Sequence, residues 1–140
     1  KAFPIDVRRK AQLMWSSARL NAWRKGILFD LTQQWLALKI SAGRCAVTGI
    51  PFDLIGSLGT ARELFGPSLD RKDPTEGYTV ENCQVVVWIY NCAKADGTHE
   101  DVLRMAKALL ETEKAKKRKR QAALRESAAL EAENKQERAA

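Results

Sequence analysis

The stretch that decides the fold reads PSLDRKDPTEGYTVENCQVVVWIYNCAK and runs from Pro67 to Lys94. Two short runs, at 68–71 and 83–87, flank a polar segment with Pro and Gly, which predicts two strands joined by a turn at 72–81. Residues 88–95 then predict a helix that stops at an Asp-Gly pair. The order strand, turn, strand, helix predicts a small α+β unit in which the hairpin packs on the helix.

Two helices are predicted upstream of this stretch, at 4–25 and 33–42. Pro4 suits the first turn of the first helix, and the glycine after Lys25 suits its end. Thr32 can cap the second helix, because a threonine oxygen accepts a hydrogen bond from the unpaired amide groups of a first turn.

The remaining segments are a connection before the hairpin and a long tail after it. Residues 45–53 are apolar and closed by Gly and Pro, which predicts a strand and turn, and 54–67 predict a loop. Residues 98–101, Thr-His-Glu-Asp, form a capping-box pattern that opens a long helix. From 113 onward that helix has no apolar face, and at 1.5 Å per residue it would extend about 60 Å.

The chain is therefore expected to have three parts. Residues 1–43 form a basic helical arm packed on the core, residues 44–97 form the hairpin-and-helix domain, and residues 98–140 form the long C-terminal helix. A basic patch lies at 114–120 within that last helix.

The charge is unevenly distributed along the chain. The 24 Lys+Arg and 17 Asp+Glu residues leave a net charge of +7. Residues 1–30 carry +5 and residues 113–120 carry another +5, whereas residues 31–112 carry −2. A near-neutral centre between two basic arms favours a polyanionic partner, and DNA or RNA is the simplest one.

The basic residues of both arms are the candidate nucleic-acid contacts. Their alternative interpretation is a solvated helix surface or, for the second arm, a localisation signal. Protein partners along the C-terminal helix are a further expectation. The candidate contacts in the arms are Arg8, Arg9, Lys10, Arg19, Arg24, Lys25, Lys114, Lys116, Lys117, Arg118, Lys119 and Arg120.

Three tryptophans and three cysteines are expected in the core. The tryptophans could instead stack on bases, but at helical spacing burial is the more common role. The odd number of cysteines without a CxxC pair argues against a disulfide framework and favours an intracellular, reducing compartment, either cytoplasm or an organelle matrix. No apolar run reaches the roughly 20 residues of a membrane span, so no membrane partner is expected. The six residues are Trp15, Trp23, Trp35, Cys45, Cys83 and Cys92.

The hairpin and the helix after it place two polar residues where they could meet. Asp70 ends the first strand and Asn91 lies within the helix. An oxygen from each could hold Mg²⁺ or Mn²⁺, with water and a substrate phosphate completing the shell. Asp and Asn are also common as turn and capping residues, so the spacing alone leaves both interpretations open.

The same stretch resembles the HNH, or His-Me finger, endonucleases and their ββα-metal motif. The resemblance covers residues 43–96 and rests on Ser-Leu-Asp-Arg, Gly-Tyr-Thr, Glu-Asn, and the later Asn and Lys. It implies that Asp70 and Asn91 are metal ligands and that Asn82 braces the turn. It also implies that Lys94 lies near the phosphates. An ordinary turn residue and a solvated charge are the alternatives for Asn82 and Lys94.

The chain departs from that family at the residue after Asp70. The family has its general-base histidine there, and this chain has Arg71. An arginine stays protonated and cannot take a proton from water, although it can clamp a phosphate. Losing a positioned base costs about 10²–10⁴-fold in rate, so cleavage is expected to be impaired.

Two other features of the family are missing or displaced. Structural zinc on paired cysteines is not expected, because Thr48 stands where a partner of Cys45 would be and the second pair is absent. The hairpin would then depend on core packing by Val85, Val86, Trp88 and Ile89. His99, the single histidine, is expected to be a spacer in the capping box, although it could reach the site.

Two functional hypotheses follow. The first is a divalent-metal phosphodiesterase of the HNH type, which Asp70 and Asn91 favour. The second is a non-catalytic nucleic-acid-binding subunit of a ribonucleoprotein or phage assembly, which the long charged helix favours. Arg71 argues against efficient turnover and leaves the nucleic-acid partner unaffected.

Overall fold

A computed structural model describes residues 2–54 and 63–140, so most of the loop predicted at 54–67 lies outside the described residues. The chain divides into two compact units, Lys1–Val102 and Leu103–Ala140. No helix in the described ranges is both long enough and apolar enough to span a membrane. The elements in chain order are α1 (Ile5–Lys25), α2 (Gln33–Ser41), β1 (Pro67–Arg71), β2 (Cys83–Val87), α3 (Trp88–Lys94) and α4 (His99–Ala139).

The hairpin of β1 and β2 is antiparallel, and its register decides which side chains face which helix. Leu69 pairs with Val85, and Asp70 pairs with Gln84. Because successive side chains of a strand point to opposite faces, these two pairs lie on opposite sides of the hairpin. Leu69 and Val85 pack in the core with α1 and α2, and the face of Asp70 and Gln84 is turned toward α3.

The core under the first face is built by α1 and α2. Leu36 and Ile40 of α2 are fully buried against Val7 and Ala11 of α1 and against Val85 of β2. Small residues on α1 allow the two helices to pack closely, as ridges into grooves require. A smaller cluster joins β2 to α3, and its buried members are Cys45, Val86, Val87 and Tyr90.

The helix ends follow the sequence signals. Thr32 accepts a hydrogen bond from the Trp35 amide at 3.1 Å, and Gly26 ends α1 in the left-handed conformation with a φ of 65°. Thr98 and Asp101 bond each other's backbone amides at the start of α4, which is the predicted capping box. The helix predicted from this point is 41 residues long and contains no buried residue.

A segment between α1 and α2 is joined to the turn of the hairpin. The Tyr78 amide donates to the Leu28 carbonyl at 2.8 Å, and the Asp30 amide donates to the Tyr78 carbonyl at 2.8 Å. Gly77 lies against the same strand-like segment, where a Cβ atom would stand 2.7 Å from the Leu28 carbonyl oxygen. Only a glycine fits at this close approach.

The strand predicted at 45–53 is wrong. This segment folds into a tight turn, in which the Cys45 amide donates to Ile50 O and the Gly49 amide donates to Cys45 O, both at 2.9 Å. Gly49 has a φ of 71°, which allows the chain to reverse. Most of its backbone groups are therefore satisfied locally, and the Ala46 amide joins β2 through Val85 O at 3.0 Å.

Three residues expected in the core are exposed. Trp23 is 76% exposed on α1, whereas Trp15 and Trp35 are half-buried against the core. Ile89 and Cys92 are exposed because they lie three residues apart on the outer face of α3. The opposite face of α3 is the one that packs on the hairpin.

Candidate functional site

Asp70 lies at the end of β1 and is buried, with 3% of its surface exposed. Its Oδ1 accepts a hydrogen bond from Lys94 Nζ at 2.9 Å, and its Oδ2 accepts one from Gln84 Nε2 at 2.9 Å. Gln84 is the cross-strand neighbour of Asp70, and Lys94 comes from the last turn of α3. Both carboxylate oxygens are therefore engaged by protein donors.

Lys94 is equally buried, with 4% of its surface exposed. Besides Asp70, its ammonium group donates to the Arg71 carbonyl at 2.7 Å. A buried ammonium is tolerated because an opposite charge and a carbonyl replace its water. The interpretation of Lys94 as a solvated charge is wrong, and its contacts are with β1.

Asn91 lies one turn before Lys94, on the face of α3 that meets β1. Its Nδ2 donates to Ser68 Oγ at 2.8 Å and to the Leu69 carbonyl at 3.1 Å. The structure thus brings Asn91 and Asp70 to the same side of the hairpin, but each side chain bonds its own partners. The observed role of Asn91 is to join α3 to β1.

The residues in this arrangement do not fit a divalent cation. Mg²⁺ binds oxygen ligands, most often carboxylates, and is disfavoured where a positive charge already lies at the carboxylate. Both oxygens of Asp70 already accept hydrogen bonds, and the Lys94 ammonium stands at one of them. Within residues 2–54 and 63–140, no three His, Cys, Asp or Glu side chains form a group that could hold a metal ion.

Asn82 closes the turn between the strands through backbone groups. Its Oδ1 accepts from the Asp73 amide at 3.0 Å, and its Nδ2 donates to the Asp73 carbonyl at 3.0 Å and the Gly77 carbonyl at 2.9 Å. Through these three bonds the side chain of Asn82 is part of the turn itself.

The same turn holds Asp73. Hydrogen bonds from the Thr75 hydroxyl and amide to the Asp73 carboxylate lower the pKa of Asp73.

Arg71 is also used within the turn. Its NH1 donates to the Pro74 carbonyl at 3.0 Å and the Glu76 carbonyl at 2.9 Å. The guanidinium carbon lies 4.9 Å from the ring centre of Tyr78, a cation–π distance. A phosphate would have to compete with these contacts for NH1.

A cavity of about 350 Å³ lies beside Gln84 and Lys94, the two partners of Asp70. Its wall contains a hydrogen-bonded pair of side chains, Tyr90 and His99, that the sequence did not reveal. The Tyr90 hydroxyl and His99 Nδ1 share a hydrogen bond of 2.9 Å. Burial raises the pKa of Tyr90, and the negative charge of Asp70 raises it further. Tyr90 lies four residues before Lys94 on α3, and that helical spacing was the signal that could have placed both residues on one face. The cavity is lined by Ala46, Val47, Lys72, Gln84, Tyr90, Lys94 and His99.

The turn at Cys45 surrounds the thiol with hydrogen-bond donors. Burial alone would raise the pKa of the Cys45 thiol, but hydrogen bonds from the Thr48 hydroxyl and from backbone amides outweigh burial and lower it. Thr48 therefore serves as a hydrogen-bond donor to the Cys45 thiol. Cys83, in contrast, has a pKa raised to about 11 by burial.

The candidate nucleic-acid contacts lie on two helices. Arg8, Arg9, Arg19, Arg24 and Lys25 are exposed on α1, and Lys10 is half-buried. The guanidinium of Arg19 lies 5.1 Å from the ring centre of Trp15. In the second unit, the basic residues of 114–120 are exposed along α4, where Lys116 pairs with Glu113 at 2.9 Å.

No family model and no curated protein matches the chain. A solved structure of an HNH restriction endonuclease is similar, with a TM-score of 0.53 and 24% sequence identity. The alignment covers 70% of this chain and 78% of that chain. That enzyme is PacI, a rare-cutting HNH restriction endonuclease characterised by its DNA perturbation. At this identity the likeness concerns the fold, and the predicted α+β, HNH-like fold is confirmed.

Proposed function

We propose that this chain binds nucleic acid, with DNA as the principal partner, and that its HNH-like centre cleaves phosphodiester bonds poorly or not at all. The observation that carries the proposal is the HNH-like hairpin-and-helix in the same compact unit as the basic helix α1. The likeness to a DNA-cutting enzyme supports DNA over RNA.

The surface charge supports binding to the backbone of a nucleic acid. Five cations on α1 are exposed, and the basic patch on α4 is exposed in its own unit. Such contacts release counterions from the phosphates and read no sequence, so affinity should fall steeply with salt. The exposed Trp23 on α1 adds a flat ring that can stack on an unpaired base.

The residue after Asp70 supports the loss of efficient cleavage. Arg71 cannot accept a proton from water, and its NH1 is bound to two carbonyl groups of the turn. Another candidate for proton transfer is His99, which lines the adjacent cavity and whose Nδ1 is engaged by Tyr90. An HNH-like centre without a free base at the hairpin is expected to bind better than it cuts.

A second candidate function is a structural subunit of a ribonucleoprotein or phage assembly. The observation that favours it is α4, a helix of 41 residues without a buried residue. Stable helices in proteins usually bury one face, so a helix with this composition is well suited to contact a partner along its length. Such a partner could be RNA or another protein.

Incubation with supercoiled plasmid and with structured RNA tests these proposals. Wild type, Asp70→Ala and Arg71→His are compared with Mg²⁺, with Mn²⁺ and with EDTA. We expect salt-dependent DNA binding in all three solutions and little or no nicking by the wild type. If the wild type cleaves efficiently and Asp70→Ala does not, the proposal that cleavage is impaired is contradicted. Binding that does not change with salt would contradict the role of the basic residues, and a strong preference for RNA would favour the ribonucleoprotein.

A further inference from the structure

We propose that Lys94 is a built-in cation of the HNH-like centre, which occupies the cation position at Asp70 and makes divalent metal unnecessary for the structure of this site. A corollary is that removing the charge of Lys94 creates a divalent-metal site at Asp70. The inference concerns the occupant of the site and does not depend on whether the chain binds nucleic acid.

The first argument is the isolation of the charge pair. Among the described residues, the buried charged side chains are Asp70 and Lys94. Their side chains are 3% and 2% exposed, and their charged atoms are 2.9 Å apart. A buried carboxylate needs a positive partner, and here a lysine of the same chain already supplies it.

The second argument is the use of every oxygen of the carboxylate. Lys94 and Gln84 each donate to a different oxygen of Asp70. A metal ion binding there would have to displace the ammonium or approach within a few ångströms of it, where like charges repel strongly in a buried site. Neither arrangement is favourable while Lys94 stays charged.

The third argument is that Lys94 and its helix are held on β1 by contacts other than the one to Asp70. Its Nζ donates to the Arg71 carbonyl at 2.7 Å, and its helix is tied to β1 by Asn91. The other cations near this end of β1 have partners elsewhere. Arg71 bonds the turn, and Lys72 Nζ donates to the Glu81 carbonyl at 3.1 Å. Lys94 is thus the cation assigned to Asp70.

The experiment uses Mn²⁺ alone as the probe, with the full chain. Binding is measured by the electron paramagnetic resonance signal of free Mn²⁺, and its position by paramagnetic broadening of backbone amide resonances. We expect no broadening centred on Asp70 and Lys94 in the wild type. We expect Lys94→Met, which keeps the length but removes the charge, to bind Mn²⁺ about tenfold tighter or more.

The control is Asp70→Asn placed in the Lys94→Met background, which should lose the added site. Broadening around Asp70 in the wild type that Asp70→Asn removes would overturn the inference. A folded Lys94→Met protein with wild-type affinity for Mn²⁺ would also overturn it. If Lys94→Met does not fold, the inference is tested by the wild-type spectra, in which Mn²⁺ should not broaden the amide resonances around Asp70.

The outcome is separable from that of the proposed function. DNA binding is measured in EDTA, where Mn²⁺ occupancy has no influence. Absence of DNA binding would contradict the proposed function and would not affect the inference about Lys94. A Mn²⁺ site centred on Asp70 in the wild type would overturn the inference about Lys94 and would not affect the proposed binding of DNA.

Discussion

Tyr90 and His99 share a hydrogen bond of 2.9 Å between the phenol oxygen and Nδ1, and their ring centres are 6.0 Å apart. The contact joins α3 to the first residue of α4 across the loop of residues 95–98. It lines the same cavity as Gln84 and Lys94, the two partners of Asp70. The pair therefore belongs to the wall of the candidate site.

Tyr90→Phe should lower the free energy of unfolding at neutral pH by about 1 kcal/mol, because it removes the hydrogen bond to His99. The pKa of Tyr90 is raised in the folded chain, so the folded state holds this proton more tightly than the unfolded state. The stabilisation from that proton is complete below pH ~10 and is lost as the pH rises through the raised pKa. The advantage of the wild type over Tyr90→Phe should therefore shrink above pH ~10.

Denaturant unfolding of both proteins across that range measures this difference. The ultraviolet difference between wild type and Tyr90→Phe isolates the titration of Tyr90 from that of Tyr78. A Tyr90 phenol that ionises at or below its ordinary pKa would contradict the prediction.

Cys92 should react with a disulfide reagent before the other two cysteines do. Cys92 is exposed and should react rapidly, whereas Cys45 and Cys83 are buried and should react slowly. Burial raises the pKa of Cys83 to about 11, so its thiolate is scarce near neutral pH. Reaction of the native protein is followed by absorbance, with Cys92→Ser as the matched variant. A rapid phase that persists in Cys92→Ser would show that a buried thiol is accessible.

Asn82→Ala should destabilise the chain by about 2–3 kcal/mol. The substitution removes three hydrogen bonds to Asp73 and Gly77 in the turn, each contributing about 1 kcal/mol. Glu81→Ala, at the exposed neighbouring position, should change stability by less than ~0.5 kcal/mol. Equal effects of the two substitutions on the denaturation midpoint would argue against a bracing role for Asn82.

Gly77→Ala should destabilise the fold by about 1–3 kcal/mol, since the added Cβ would stand 2.7 Å from the Leu28 carbonyl oxygen. The backbone at Leu28 cannot move away without loss of its bond to the Tyr78 amide. Thermal unfolding checks the effect, and Glu76→Ala serves as the control in the same turn. A Gly77→Ala protein as stable as its control would mean that the contact is looser than described.

Replacing Arg8 and Arg9 by glutamine should weaken DNA binding and reduce its dependence on salt. Each phosphate contact contributes about 0.9 to the slope of log affinity against log salt, so the slope should fall by about 2. Fluorescence anisotropy at several salt concentrations measures both quantities. Lys39→Gln on α2, a position outside the candidate contacts, removes one charge and is the control for Arg8→Gln alone, for which the slope should fall by about 1. If both single variants lose DNA affinity to a similar extent, the weaker binding is due to the lower net charge and not to contacts made by α1.

The hairpin, both upstream helices and the start of α4 were predictable because their signals are local. A turn with Pro and Gly, a threonine before a helix and a capping box each act within four residues. Of the strand and turn predicted at 45–53, the turn is confirmed and the strand is wrong, because apolar composition does not distinguish a strand from a turn whose amide groups are satisfied locally. The path of this turn depends on the left-handed conformation of Gly49 and on the hydrogen bond from the Ala46 amide to Val85 O.

The site was less accessible to sequence reasoning because its contacts are distant along the chain. Lys94 can be buried because Asp70 and the Arg71 carbonyl, more than 20 residues earlier, accept hydrogen bonds from its ammonium group. Nothing in the residues around Lys94 indicates these partners. Arg71 was expected at a phosphate, and its contacts with the turn depend on the path of the chain between Lys72 and Tyr78.

The pairing of Tyr78 with the segment around Leu28 has a consequence for how the chain can be divided. The turn of the hairpin completes its backbone bonding only with residues that lie about 50 positions earlier. A fragment that begins at residue 43 would contain the whole stretch that resembles the family, yet its turn would lack this third strand-like edge. The segment around Leu28 is accordingly part of the hairpin's own structure, and a folding unit with a complete turn must begin before Leu28.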